Sequence, residues 1–424
     1  MTKKLKVQAL SFLTLILAFA LNIHCLAGEK LNEIYTNSTG INSWWTYPLS
    51  ISNGGKTYTS YTTNEGLSGI MVTDNLTGKV NRVNLANVEG IDDHNAGAVE
   101  FLPDGRILYA VTGHCKMNYI TVFISKKPYD ISGWKKKKLR AEDNCTYVQI
   151  IKNNKGYFLF TRIRYKSVQK KDNGRSVKWA WVVSQSKDGI SWTAFRNIVH
   201  GYGNQYYIKA MAVKGSSLIR LVTYSNPNAK ANDIRLCFYN PAKNQIQNES
   251  GKTLYKITKN GVGLPYNKSK IIVKKEKNKS LRLLDVAYTD KKKTVIVYGT
   301  FSGIEDGRYQ YLKYTNKEST TVTIVKSGKA FYFKSKYIGG VVFSEENPYI
   351  IYLSREKKGV WYIEKWKYNG NKFNKIKTIY KSKKKVAIRP FLDKYGIRYV
   401  NWSEGYYDVE SFKKFDTYIN KGNR

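Results

Sequence analysis

The sequence predicts an all-β fold, a seven-bladed β-propeller in a single domain, and three observations point there. Helical periodicity is almost absent, while short apolar–polar alternations recur along the chain. A unit of strand, tight turn, strand repeats, its first hairpins beginning near Ala98, Tyr147, Tyr207, Leu283, Gly339 and Ala387, with one more unit from about Tyr47 to Leu85. The units follow one another at intervals of about fifty residues with no Pro- or Gly-rich linker, which is the mark of radial repetition rather than of a sandwich or a β-helix.

Taken from the N-terminus, the chain opens on the basic Met1–Lys6, then an uncharged apolar run from Ala9 to Ile23, then Cys25-Leu26-Ala27. That order is an export signal, so residues 1–27 are expected to be a signal peptide and 28–424 the propeller of a secreted or periplasmic protein. No later segment is apolar enough to span a bilayer, so no membrane insertion is expected. Each unit turns on polar residues: Pro103-Asp104-Gly105, Asn153–Gly156, Lys214–Ser217, Asp290–Lys293, Glu345–Pro348 and Asp393–Gly396. Such residues supply the positive φ and local hydrogen bonds of tight turns. The tail from Arg398 to Ile419 is expected to close the ring with the N-terminal segment. Ser186-Lys187-Asp188-Gly189-Ile190-Ser191-Trp192 resembles the Asp-box turn of propellers, and Ser125 to Trp134 reads as a degenerate copy. The motif speaks for architecture and not for chemistry.

Charge is the outlier of the composition: 72 Lys+Arg against 31 Asp+Glu, a net +41. Such a balance concerns partners and solubility rather than fold. An exported protein rarely meets nucleic acid as its working partner, so no nucleic acid is expected and an anionic polysaccharide or cell surface is the expected partner. The bland alternative is a lysine-rich surface without a partner. The runs Lys135–Lys138, Lys291–Lys293 and Lys383–Lys385 read as solvated turns. Once Cys25 is removed, Cys115, Cys145 and Cys237 remain. A Cys115–Cys145 disulfide would fasten two segments and leave Cys237 over, but spacing alone leaves the pairing open.

The chain has four histidines, one of them (His24) in the expected signal. His94 and His114 stand at the outer ends of one predicted hairpin, whose turn is Asp104-Gly105. A hairpin returns its second strand beside its first, so the two imidazoles can meet. Histidine moves protons near neutral pH, although two structural histidines would give the same pattern. His200 lies in a loop-like stretch before Tyr207, where a surface role is the simpler reading.

The order Asp92-Asp93-His94-Asn95, Asp104-Gly105-Arg106, Gly113-His114, Thr146-Tyr147-x-Gln149, Phe160-Thr161-Arg162, Tyr207-Ile208-Lys209, Tyr337–Gly340 and Ile388-Arg389-Pro390 resembles the BNR-4 repeat family. The resemblance runs from about Trp44 to the C-terminus. That family includes seven-bladed propeller polysaccharide lyases, among them ulvan lyases and rhamnosyl-glucuronate lyases. The chain departs from it in its lysine load and in few Trp and Arg in the later blades. The resemblance implies β-elimination on a glucuronate–rhamnose type of polysaccharide. It assigns Arg162 to the uronate carboxylate, His94 or His114 as base, Tyr147 as acid, and Tyr207 beside the reacting sugar. Asn95, Lys209, Arg389 and His200 become candidate substrate contacts. No cofactor is needed for that chemistry. Relatives can carry a structural ion, calcium or zinc, but its ligands are not identifiable from spacing, and a monomer is expected. A sialidase-like hydrolase is the alternative activity, yet no early arginine motif opens the triad it requires. A non-catalytic glycan-binding propeller is the third reading.

Overall fold

The computed structural model describes residues 33–34, 43, 45–63, 65–88, 92–203, 205–226, 232–303, 305–329, 337–396, 400–405 and 415–420. The fold below is that of the compact unit Ile34–Arg424. The expected export signal, Cys25, Trp44 and much of the expected closing tail lie outside the described residues.

The strands form seven sheets of four or more strands and one two-stranded hairpin. The first strands are Ser50–Asn53, Ala98–Phe101, Asn144–Asn153, Tyr206–Ala212, Ser280–Val286, Gly340–Phe343 and Val386–Leu392. Each packs beside the first strand of the next sheet. The last returns to the first: Ser52 N donates to Lys394 O at 2.9 Å, and Lys394 N donates to Ser50 O at 2.9 Å. This is a β-propeller, all-β as expected, with a single 3-10 turn at Tyr266–Lys268 as the helical content among the described residues.

The expectation of seven equivalent four-stranded units needs correction. Six blades arise from successive stretches of chain between residues 50 and 382. The remaining sheet is composite: Val386–Leu392, Val400–Gly405 and Phe415–Asn420, with the two-residue strand Glu33–Ile34 at its edge. Two of the six also exceed four strands. The third gains Leu264–Pro265 as a parallel addition, and the fourth gains Thr253–Lys256 and Lys270–Val273. These extra strands come from the long excursion between the fourth and fifth blades, which period counting cannot resolve.

Apolar side chains fill the spaces between neighbouring sheets. Leu108, Ala110 and Val122 of the second blade meet Ile150, Leu159 and Val182 of the third. Leu284 and Val297 of the fifth meet Val341 and Leu353 of the sixth. Sheets buried on both faces lose strict alternation, which is why the inner strands read as continuous apolar runs.

The Asp-box is built as the sequence implies. Asp188 Oδ1 accepts from the backbone N–H groups of Ile190 (2.8 Å) and Ser191 (2.9 Å), and the Trp192 indole donates to Gly189 O (3.1 Å). Those N–H groups hold the Asp188 carboxyl down to about 2. The copy at 125–134 repeats the plan, with Asp130 accepting from Ser132 N and the Trp134 indole donating to Ile131 O.

One expectation fails and one open question is answered. Lys135–Lys138 form no turn; they lie in the strand Trp134–Arg140, at the outer edge of the second blade. An outermost strand with both faces wetted has no apolar stripe to announce it. Lys291–Lys293 and Lys383–Lys385 are turns, as read. The Cys115–Cys145 disulfide is also not formed, and all three described cysteines are free. Cys115 N donates to Cys145 O at 2.8 Å, so the backbones adjoin. The side chains diverge: Cys115 Sγ meets Thr146 Oγ1, while Cys145 is buried with Val148 and Ile163.

Candidate active site

The first strands all run the same way through the ring, and the site gathers at their N-terminal ends. His94 precedes the second blade, Tyr147 starts the third, and Tyr207 starts the fourth. His94 and His114 stack, ring centroids 3.9 Å apart and 6° from parallel. One carboxylate ties them together. Asp92 Oδ1 pairs with His94 Nδ1, and Asp92 Oδ2 lies 2.7 Å from His114 Nδ1. Asp93 Oδ1 reaches the same His94 nitrogen at 2.5 Å. A carboxylate on Nδ1 fixes the tautomer and leaves Nε2 for proton transfer.

The two imidazoles differ electrostatically. Burial opposes charge on His94, but Asp93 and Asp92 outweigh it and raise its pKa to about 10. Burial and the charge of His94 push His114 below its ordinary value. One ring is thus held as imidazolium and the other as neutral imidazole, the splitting that acid–base sites exploit.

Tyr147 sits at φ 63°, inside a β-bulge where the register with Gly156–Arg164 shifts between Thr146 and Gln149. A tyrosine in the left-handed region costs about 1–3 kcal/mol, and a bulge re-aims the side chain it carries. The ring is buried 5.0 Å from that of His94. Burial, reinforced by Tyr207 and opposed by Arg162, lifts its pKa well above 10, so the phenol keeps its proton.

Arg162 is the central cation, 1% exposed. Its guanidinium lies over Trp179 (4.6 Å), Tyr147 (4.8 Å) and Tyr207 (5.0 Å), and its Nε and Nη1 have no hydrogen-bond partner among the described residues. Three rings supply about 0.5–2 kcal/mol each, whereas taking an ion out of water costs several kcal/mol. The arrangement therefore favours an anion arriving on the free nitrogens. Arg164 lies two residues further along the same strand. It is exposed and lies over Trp179 at 5.5 Å, with no ion pair among the described residues.

The other expected contacts are distributed. Tyr207 joins the cluster, its hydroxyl donating to Gln205 Oε1 at 2.8 Å. Asn95 is buried in the turn that carries His94, its N donating to Asp92 O and its O accepting from Ser68 Oγ. Lys209 lies one layer deeper on the face of Tyr207, 3.7 Å from Asp285. Burial lowers the lysine's pKa and raises the aspartate's. Arg389, at φ 55° in a bulge of the last sheet, pairs with Asp93 Oδ2 at 2.7 Å. Both Lys209 and Arg389 border a cavity of about 520 Å³ that extends toward the far ends of the first strands, past Met211, Phe343 and Leu392. His200 has other partners. It is buried beneath the two-stranded hairpin Lys170–Asp172/Arg175–Val177, 3.4 Å from Asp172, with Tyr202 against its ring.

Sequence reasoning left Asp92 and Asp93 without roles, although their place beside His94 was the available signal. It also passed over Trp45, Trp179 and Trp181, whose rings wall the site. Asp92, His94 and His114 present ligand atoms within 4.8 Å of one another, and two imidazoles with one carboxylate would suit zinc better than calcium, provided His94 gave up its proton to bind it. An ion held there would supply positive charge beside a bound anion.

Fold and site together define a propeller that collects two imidazoles, a phenol and a buried guanidinium at one end of its ring. The chain belongs to the BNR repeat-containing BNR-4 family, whose model matches residues 56–327. No curated protein sequence matches it. Among solved structures it is similar to an ulvan lyase of a polysaccharide lyase family, with TM-score 0.69 and 14% identity over 92% of this chain and 94% of that one. An ulvan lyase bound to -[GlcA(1-4)Rha3S]- matches with TM-score 0.68 and 14% identity over 93% and 96%. A further polysaccharide lyase matches with TM-score 0.57 and 13% identity over 94% and 93%. Among the described residues no helix is long and apolar enough to cross a membrane.

Proposed function

We propose that this chain is a polysaccharide lyase cleaving a uronate-containing acidic polysaccharide by β-elimination, with glucuronate linked to rhamnose as the substrate class. The observation that carries the reading is Arg162, a buried guanidinium with two free nitrogens beside a histidine pair and a protonated tyrosine. In the elimination the C5–H bond breaks and its proton passes to a base. The C4–O bond breaks, a C4=C5 double bond forms, and an acid protonates the leaving oxygen. The C5 proton is too weakly acidic while the adjacent carboxylate bears full charge. Arg162 neutralises that carboxylate as a bidentate fork. His114, the neutral imidazole, takes the proton, and Tyr147, a phenol that holds its own proton, delivers one to the oxygen. The similar ulvan lyase bound to -[GlcA(1-4)Rha3S]- supports the substrate class. The same reading takes the mature chain to be exported and monomeric. It also counts the composite sheet as the closing blade of a seven-bladed ring.

The test is ultraviolet absorbance of the conjugated double bond, with the chain incubated against ulvan, rhamnosyl-glucuronans and other uronate polysaccharides, with and without a chelator. A rise that is lost in Tyr147→Phe supports the proposal. New reducing ends without absorbance would make the protein a hydrolase, and salt-sensitive retention without any product would make it a binding propeller.

A further inference from the structure

Arg389 belongs to the last sheet and Asp93 to the loop before the second blade, yet they meet with Nη2 2.7 Å from Oδ2, both nearly fully buried. The other oxygen of the same carboxylate lies 2.5 Å from His94 Nδ1. Guanidinium, carboxylate and imidazole thus form one chain of contacts leading from the ring's closing sheet to the histidine pair. The arginine is placed there deliberately. Its backbone takes φ 55° in a bulge where the pairing of Val386–Leu392 with Val400–Gly405 shifts between Ile388 and Phe391. Non-glycine residues are held in that conformation only where the surroundings over-determine it. Its N–H also donates to Gly339 O at 2.5 Å, which fixes the bulge to the sixth blade.

We propose that Arg389 is a positioning residue: through Asp93 it holds the imidazole of His94 in register with His114. It does not serve as a substrate contact. The charge of the guanidinium holds the Asp93 carboxylate between the closing sheet and the loop, which keeps its second oxygen against Nδ1. Asp92 spans the two rings, so a shift of His94 carries to the stacked partner. The consequence for turnover rests on the lyase reading; the consequence for the imidazole does not.

The experiment compares Arg389→Ala, Asp93→Asn and the double variant, using kcat, KM and the side-chain nitrogen NMR signals of the histidines. With four histidines in the sequence, that spectrum is simple. Outer partners of working groups are typically worth about 10–100-fold. The expectation is therefore a kcat loss of that size in Arg389→Ala, KM within about twofold, and no further loss in the double variant. The cavity borders Arg389, so added guanidinium should restore part of the rate in Arg389→Ala and none in Asp93→Asn. Arg389→Lys, which keeps a cation for Asp93, should stay within a few-fold of the parent, and it serves if the alanine variant does not fold. A raised KM with unchanged kcat, or losses that multiply in the double variant, would overturn the proposal in favour of direct substrate contact. If the parent is inactive on every polysaccharide, the lyase reading fails, but the NMR arm still decides. His94 signals that move in Arg389→Ala and return with guanidinium uphold the positioning role, and unmoved signals end it.

Discussion

At the scale of single residues, Arg162 separates chemistry from packing. Arg162→Lys keeps a positive charge but loses the planar fork, and a long lysine cannot stack on three rings at once. Activity on a uronate polysaccharide should fall about 10²–10³-fold, the scale of losing one aimed donor. A similar rate in the lysine variant would mean that charge alone suffices. Tyr147→Phe keeps the bulge and the ring contacts, so thermal stability should hold while kcat falls about 10²–10⁴-fold. The meeting of His94 and His114 was legible in the hairpin between them, whereas Tyr147 and Arg162 came from the family resemblance. What could not be read was which carboxylates hold the rings. Asp92 and Asp93 look like any polar turn, and only the folded loop shows one of them spanning both imidazoles. Nor could local pattern show that Arg389 would point at an aspartate some three hundred residues earlier.

At the scale of elements, the hairpin above His200 makes a pH-dependent seam. Burial lowers the His200 pKa, with Asp172 opposing, while Arg175 stacks on Tyr202 over the same ring. A base with a depressed folded-state pKa binds more protons when unfolded. Its contribution to stability is therefore present above the ordinary value of about 6.5 and fades as pH falls through the folded value. The melting temperature should drop between pH 7 and 5 by more in the parent than in His200→Gln, and equal drops would remove His200 as the cause. The hairpin itself escaped sequence reading because three-residue strands carry no period. The long strands were easier. Their turn residues and spacing located the start of every first strand to within a few residues, since each unit must bury both faces and turn sharply. The Cys115–Cys145 pairing that spacing left open is not made for a local reason, that adjoining backbones do not make facing side chains. Reducing agent should accordingly leave the melting curve unchanged.

At the scale of the whole molecule, net charge governs encounter. With +41 on the chain, association with a polyanion should be fast at low ionic strength and weaken steeply as salt rises toward the range where the screening length is about 8 Å. Retention on an anionic polysaccharide measured across a salt series tests this, and flat retention would limit the lysines to solubility. The circular order was readable from repetition, and so was the pairing of the tail with the N-terminal segment in the closing sheet. What periodicity did not show was that this sheet departs from the four-stranded hairpin pattern of the other units, because it reports neighbours in sequence only. The strand Trp134–Arg140 shows a different use of the same charge. A propeller leaves each blade with an outermost strand whose backbone groups have no partner on one side, an open template for another chain. Four consecutive lysines there mean that two molecules approaching edge to edge bring like charges face to face before any ladder forms. Replacing Lys135 and Lys137 with threonine should therefore make the chain associate more readily than the parent, visible as increased light scattering before any loss of fold.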